Sequence, residues 1–186
     1  MSTIIDSYSE TNATTLQVIN NIASFYYIAK GQSFTGSPCI LDKVVFYTSK
    51  VGSPTGNCYA KIYTHTGTYG SSSLGTGSAL ATSDAIDVST ISTSNSLVTW
   101  NFSGGERIEL ESKYYVVVVY YDNGDASNYI QINSDNTSST HSGNFVSYKR
   151  IDGWSNGSVD SCFYVYGEPI TTPTVGTKYP LPAFKV

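Results

Sequence analysis

The chain is poor in charge. Of its 186 residues only 13% are Asp, Glu, Lys or Arg, about half of the ~25% usual for globular domains. The formal net charge of -4 is small, and the ten Lys and Arg residues form no cluster. Phosphate neutralisation by a basic face, the footing of nucleic-acid binding, is therefore not expected. Long apolar runs are missing as well. No segment approaches the ~18 apolar residues of a membrane-spanning helix, so no membrane contact is expected. The stretch Met1-Ser-Thr-Ile-Ile-Asp6 has no basic region followed by an apolar one, so no secretory signal is expected at this start. Cysteine is scarce and odd in number, with Cys39, Cys58 and Cys162 fitting no zinc-ligand spacing. Cys58 and Cys162 fall in strand-like runs, where a free cysteine acts as a small buried hydrophobe.

What replaces charge is Ser, Thr, Asn, Gly and 16 Tyr, with 40% hydrophobic residues overall. Such a chain buries a sizeable core and lacks the signature of disorder. Side-chain alternation with a period of two dominates. Val98, Trp100 and Phe102 share one face of 96–102. Cys58, Ala60 and Ile62 oppose Tyr59, Lys61 and Tyr63. Ile108 and Leu110 alternate with Arg107, Glu109 and Glu111, and Ile130 and Ile132 with Tyr129, Gln131 and Asn133. The run 114–121 is continuously apolar, as in a strand covered on both faces. Further strands are expected over 15–19, 24–29, 32–35, 41–48, 145–149 and 162–166. Gly- and Pro-rich turns separate them. The best helical segment, 84–93, is short. Nine or ten strands with such turns predict an all-β, antiparallel two-sheet β-sandwich of jelly-roll type. It would span residues 1–167. Residues 168–186, with four prolines, read as an extended C-terminal arm. The arm ends in Tyr179, Leu181, Phe184 and Val186, apolar groups suited to docking back onto their own domain or onto a neighbouring subunit; the neighbour, and hence a homo-oligomer, is the favoured expectation.

No phosphate loop, nucleophile elbow or zinc-protease helix occurs. Glu106, Glu109 and Glu111 read as a solvated face, and no acidic pair of glycosidase type stands out. A non-enzymatic chain is the expectation. Two kinds of binding residue are motivated. Trp154, in the loop-like Asp152-Gly153-Trp154-Ser155-Asn156-Gly157, is an aromatic flanked by hydrogen-bonding groups, as a carbohydrate-binding surface uses; Tyr63, Tyr69 and Tyr129 are secondary candidates. Trp100, on the face of Val98 and Phe102, belongs to the core. Asp122-Asn123-Gly124-Asp125 carries two carboxylates, Asp122 and Asp125, of the hard-oxygen kind that calcium takes, but without the full EF-hand spacing. Its Asn-Gly pair equally suits a type I′ hairpin turn. No other cofactor is expected. Four Asn-x-Ser/Thr sequons, at Asn12, Asn101, Asn136 and Asn156, are what so Asn-, Ser- and Thr-rich a chain yields by chance.

Several stretches carry a resemblance: Gly31-Gln-Ser-Phe-Thr-Gly36, Gly52-Ser-Pro-Thr-Gly56, Ala60-Lys-Ile-Tyr63, Gly77-Ser-Ala-Leu-Ala-Thr-Ser83, Tyr114-Tyr-Val-Val-Val118 and Cys162-Phe-Tyr-Val-Tyr-Gly167. Together they resemble a jelly-roll domain of phage structural proteins, related to the choice-of-anchor domains of bacterial surface proteins. The resemblance implies a module of capsid decorations, fibres, adhesins and carbohydrate-associated proteins, and supplies no catalytic motif. With no signal, it places the chain in a virion, assembling on a lattice and adhering to glycans. The alternative is a carbohydrate-binding module of a secreted or cell-surface protein.

Overall fold

A computed structural model of the chain describes residues 1–21 and 26–170. The arm residues Tyr179, Leu181 and Phe184 lie outside the described residues. Among the described residues fifteen strands follow one another: β1 (Thr3–Tyr8), β2 (Thr15–Ile19), β3 (Tyr27–Thr35), β4 (Cys39–Val51), β5 (Asn57–Thr66), β6 (Leu74–Thr82), β7 (Ile86–Asp87) and β8 (Ser96–Asn101). After these come β9 (Glu109–Leu110), β10 (Tyr114–Tyr120), β11 (Tyr129–Asp135), β12 (Phe145–Lys149), β13 (Gly153–Gly157), β14 (Asp160–Ser161) and β15 (Phe163–Pro169). They form two antiparallel sheets packed face to face, the expected all-β sandwich. One sheet has the backbone order β1-β15-β4-β11-β14, with β8 and β9 also on the long β4 and β2 on β11. The other runs β13-β12-β3-β10-β5-β6, with β7 on β5.

Three readings need correction. Residues 84–93 are not a helix: Ile86–Asp87 pairs with β5, and Val88–Thr90 is a single 3-10 turn. The Asp87 side chain accepts from Ser89 N at 2.9 Å, the local bonding by which Asp, Ser and Thr compete with helix. The two strands expected over 24–29 and 32–35 are one where they are described, because β3 runs from Tyr27 through Gly31 to Thr35 without a break. Finally, Glu168 and Pro169 belong to the sheet, paired with Ile40 and Cys39. Proline is tolerated there at the terminus of the strand.

The core lies between the sheets. Trp100, Phe46, Phe163, Phe34, Ile62 and Ile132 are fully enclosed. Phe46 meets Trp100 edge to face at 6.2 Å and Phe163 at 6.2 Å. Such pairs add to area burial. All three cysteines are free and buried; burial pushes the Cys58 and Cys162 thiols up to about 12. They are packing groups, as expected.

A polar clamp closes one end of the sandwich. The buried Asp135 carboxylate accepts from Tyr8 Oη at 2.7 Å, Thr14 Oγ1 at 3.2 Å, and Thr137 N and Oγ1 at 2.8 and 2.9 Å. Ser138 N and Oγ add bonds at 3.2 Å. These donors, the Thr137 amide foremost, hold the carboxyl far below its ordinary value. A depressed carboxyl stabilises the fold above the unfolded value of ~3.9 and loses that contribution as pH falls through the folded one. Asp160 has the opposite sign, since burial raises it. Asp135→Asn is therefore expected to lower the melting temperature at pH 7 by several degrees, and by clearly less at pH 2. Equal losses at both pH values would remove Asp135 as an acid-sensitive clamp.

Candidate functional site

In β10, Tyr115, Val117 and Val119 turn to the inter-sheet core, so Tyr114, Val116, Val118 and Tyr120 face outward. In β5, Cys58, Ala60 and Ile62 turn inward, leaving Lys61, Tyr63 and His65 outside. The outer face is not simply wetted. Ala29, Val116, Val118 and Val146 form a second small core beneath half-buried Tyr63, Tyr120, Tyr148 and Trp154. The sheet curls strongly enough for its edges to meet across this face: the Trp154 indole of β13 lies on Gly75 of β6. A Cβ at Gly75 would sit 2.5 Å from Trp154 Cζ2, so only glycine leaves room for the indole.

Trp154 stands edge to face with Tyr63, centroids 4.9 Å apart, and with Tyr148 at 5.1 Å. Beside these rings opens a groove of about 530 Å³. Its polar groups are Lys61, Asp122, Arg150 and Ser78. Lys61 Nζ lies 3.6 Å from the centroid of the Tyr120 ring. Tyr120 Oη donates to Asp122 Oδ2 at 2.8 Å, and Arg150 Nη2 donates to the same oxygen at 3.3 Å. Burial, then the Asp122 carboxylate, push the Tyr120 phenol up to about 12. Burial lowers Lys61 and raises Tyr63. The groove thus combines phenol and indole rings with one aspartate, one lysine and one arginine. Aromatic surface with a few fixed donors and acceptors is what a ligand having both apolar C–H faces and hydroxyl groups requires. Asp122 is the one carboxylate lining the groove, whereas glycoside hydrolysis commonly uses two.

The structure brings Trp154 and Tyr63 together, as the candidate carbohydrate residues. It corrects the setting of Trp154, which lies on strand β13 paired with Tyr148, not in a loop. Tyr129 is elsewhere: it lies on β11 in the opposite sheet, paired with Val51. Tyr69 is outside the groove too, stacked on Tyr114. Tyr120, Tyr148, Lys61 and Arg150 were not singled out by sequence. The outward phase of β5 and β10 was the signal for Lys61 and Tyr120.

The 122–125 turn joins no hairpin, because β10 and β11 belong to different sheets. Asp125 Oδ1 accepts from Ser127 N and Asn128 N at 2.7 and 2.8 Å, closing the turn on itself. Asp122 serves Tyr120 and Arg150. The two carboxylates thus take separate partners, and among the described residues no group of three or more His, Cys, Asp or Glu is placed to hold a metal.

Two histidine contacts look catalytic in outline. His141 Nε2 lies 3.1 Å from Asp6 Oδ1. Its Nδ1 lies 3.0 Å from the Gly143 N–H and 3.2 Å from Gln32 Nε2. The main-chain N–H fixes Nδ1 as the acceptor and Nε2 as the protonated nitrogen. Among the described residues the ring nitrogens bond to Asp6, Gly143 N and Gln32 and to no hydroxyl or thiol, and Gln32 goes on to Asp160 Oδ1 at 2.7 Å. This chain of bonds ties β1, β3 and β14 together. His65 Nε2 lies 2.9 Å from Ser73 Oγ, but Ser73 is fully buried, where no substrate carbonyl reaches it. Glu106, read as solvated, accepts from Thr82 N at 2.6 Å, and Glu111 pairs with Lys113.

No protein-family model, no curated protein and no solved structure matches this chain.

Proposed function

We propose that this chain is a non-enzymatic binding protein that holds a glycan in the groove walled by Tyr63, Tyr120, Tyr148 and Trp154, and that it serves as a structural part of a virion, a capsid decoration or fibre component. The observation that carries the binding role is the groove itself. Four aromatic side chains gather over the outer face of one sheet, with Arg150, Asp122 and Lys61 at hand to bond hydroxyl groups. The composition supports the same reading: low charge with abundant Tyr, Ser, Thr and Asn suits surfaces that bind through amphipathic rings and many weak hydrogen bonds. The virion setting rests on the resemblance to phage structural proteins, and a secreted or cell-surface carbohydrate-binding module would use the same groove.

A glycan array followed by titration calorimetry tests the binding role. The expected result is a family of oligosaccharide hits weakened at least ~30-fold by Trp154→Ala, the loss of a ~2 kcal/mol anchor. Tyr63→Ala should weaken them as well, and Tyr129→Ala, on the other sheet, should leave them unchanged. An array without hits, or hits indifferent to both groove variants, would overturn the reading. Mass spectrometry of purified particles decides between virion and cell surface.

A further inference from the structure

We infer that the groove is one station of a longer track, and that its ligand is a linear polysaccharide laid along β5 and β10 rather than a single terminal sugar. The inference rests on the glycan reading of the groove and adds the shape of the ligand. At the other end of the same outward face stands a second aromatic group. Tyr69 and Tyr114 stack in parallel, centroids 4.0 Å apart and 7° from coplanar. His65 meets Tyr114 at 5.6 Å and Tyr69 at 5.9 Å. Thr35 Oγ1 lies 3.1 Å from Tyr69 Oη, which fixes that ring. Tyr114 nonetheless keeps 48% of its surface exposed.

The two stations share strands and phase. Tyr114 and Tyr120 are the first and last outward residues of β10, six positions apart and thus ~20 Å along a strand. On β5, His65 and Tyr63 are successive outward residues. Trp154 bridges the stations, because the Gly75 it covers is the register partner of His65. A ligand that engages both ends is longer than any one sugar ring. The track lies on a sheet face, where the main-chain groups are already paired between strands. An extended peptide would find no free N–H and C=O row there, as strand addition requires. A chain of sugar rings, each with an apolar face and peripheral hydroxyls, needs only the rings and polar groups present.

The experiment measures affinity against chain length by calorimetry, using disaccharides through hexasaccharides of chitin, β-glucan and mannan and a library of extended peptides. The expected result is a hexasaccharide binding at least ~10-fold tighter than its disaccharide, a difference of ~1.4 kcal/mol. Tyr114→Ala, and independently Tyr69→Ala, should bring the hexasaccharide back to the affinity of the disaccharide. Equal affinity at every length, with Trp154→Ala still abolishing binding, would overturn the track and leave the groove standing. A length gain indifferent to both Tyr114→Ala and Tyr69→Ala would do the same. Failure of every oligosaccharide, or Tyr114-dependent binding of peptides alone, would overturn both.

Discussion

Gly31→Ala is expected to destabilise the fold by more than ~3 kcal/mol, beyond the usual cost of overpacking. Gly31 sits in mid-strand, paired with Val118 on one side and Val146 on the other. A Cβ there would lie 2.0 Å from the Val117 carbonyl oxygen and 2.7 Å from Val118 Cα. Both obstacles are backbone of the central strand β10, so no side-chain rotation relieves the collision. A loss of at least ~6 °C in melting temperature is anticipated for a chain of this size. Gly105→Ala is the control, because a Cβ at Gly105 meets nothing within 4 Å. A Gly31→Ala protein melting within two or so degrees of the parent, followed by near-ultraviolet circular dichroism, would refute the steric account.

Trp100→Ala should cost about 3–5 kcal/mol, the range for truncating a buried aromatic. The indole is fully enclosed, edge to face with Phe46, on a strand that pairs with the middle of β4. Its removal leaves a cavity at the centre of the core, where rigid neighbouring strands prevent collapse. Trp100→Phe makes the argument sharper. The buried Trp100 Nε1 group finds no oxygen or nitrogen acceptor and has only the Cys58 sulfur, a weak acceptor, beside it, and a poorly paired buried donor carries its own penalty. Phenylalanine keeps a ring and removes that donor, so it should cost markedly less than alanine. Urea titration of both variants measures the difference. Equal losses would show that the poorly paired N–H does not matter; an alanine loss under ~1 kcal/mol would show that the core repacks around the gap.

Local alternation told more about faces than about neighbours. It placed Cys58, Ala60 and Ile62 inside and Lys61 and Tyr63 outside, and it assigned Trp100 to the core. It also marked 114–121 as covered on both faces, and Val116 to Val119 are indeed fully buried. It could not say which sheet a strand joins, because that depends on pairing between distant segments. Tyr129 has an outward phase like Tyr63 but sits on the other sheet. The Asn123-Gly124 pair looked like a hairpin because that inference assumes that flanking strands pair, and here they part. Trp154 was hidden by its neighbours: Gly153, Asn156 and Gly157 are turn formers, yet registration against β12 overrides their preference. Tyr148 and Arg150 needed the curl of the sheet to become wall residues. The gap expected between 24–29 and 32–35 was filled at Gly31 for a related reason, since the demand for a missing side chain there comes from Val117 and Val118 of β10, distant in sequence.

The order of the first sheet has a consequence for synthesis. β1, near the beginning of the chain, has β15, the last strand described, as its one strand-pairing partner among the described residues, and β15 also lies against β4. As the chain leaves the ribosome, β1 and one flank of β4 must wait for nearly the whole sequence before they find their mate. Closing so long a loop is slow, and until then those backbone groups stand open to the wrong partners. A nascent chain of this kind gains from a chaperone, or from crowding low enough that its own last strand arrives first.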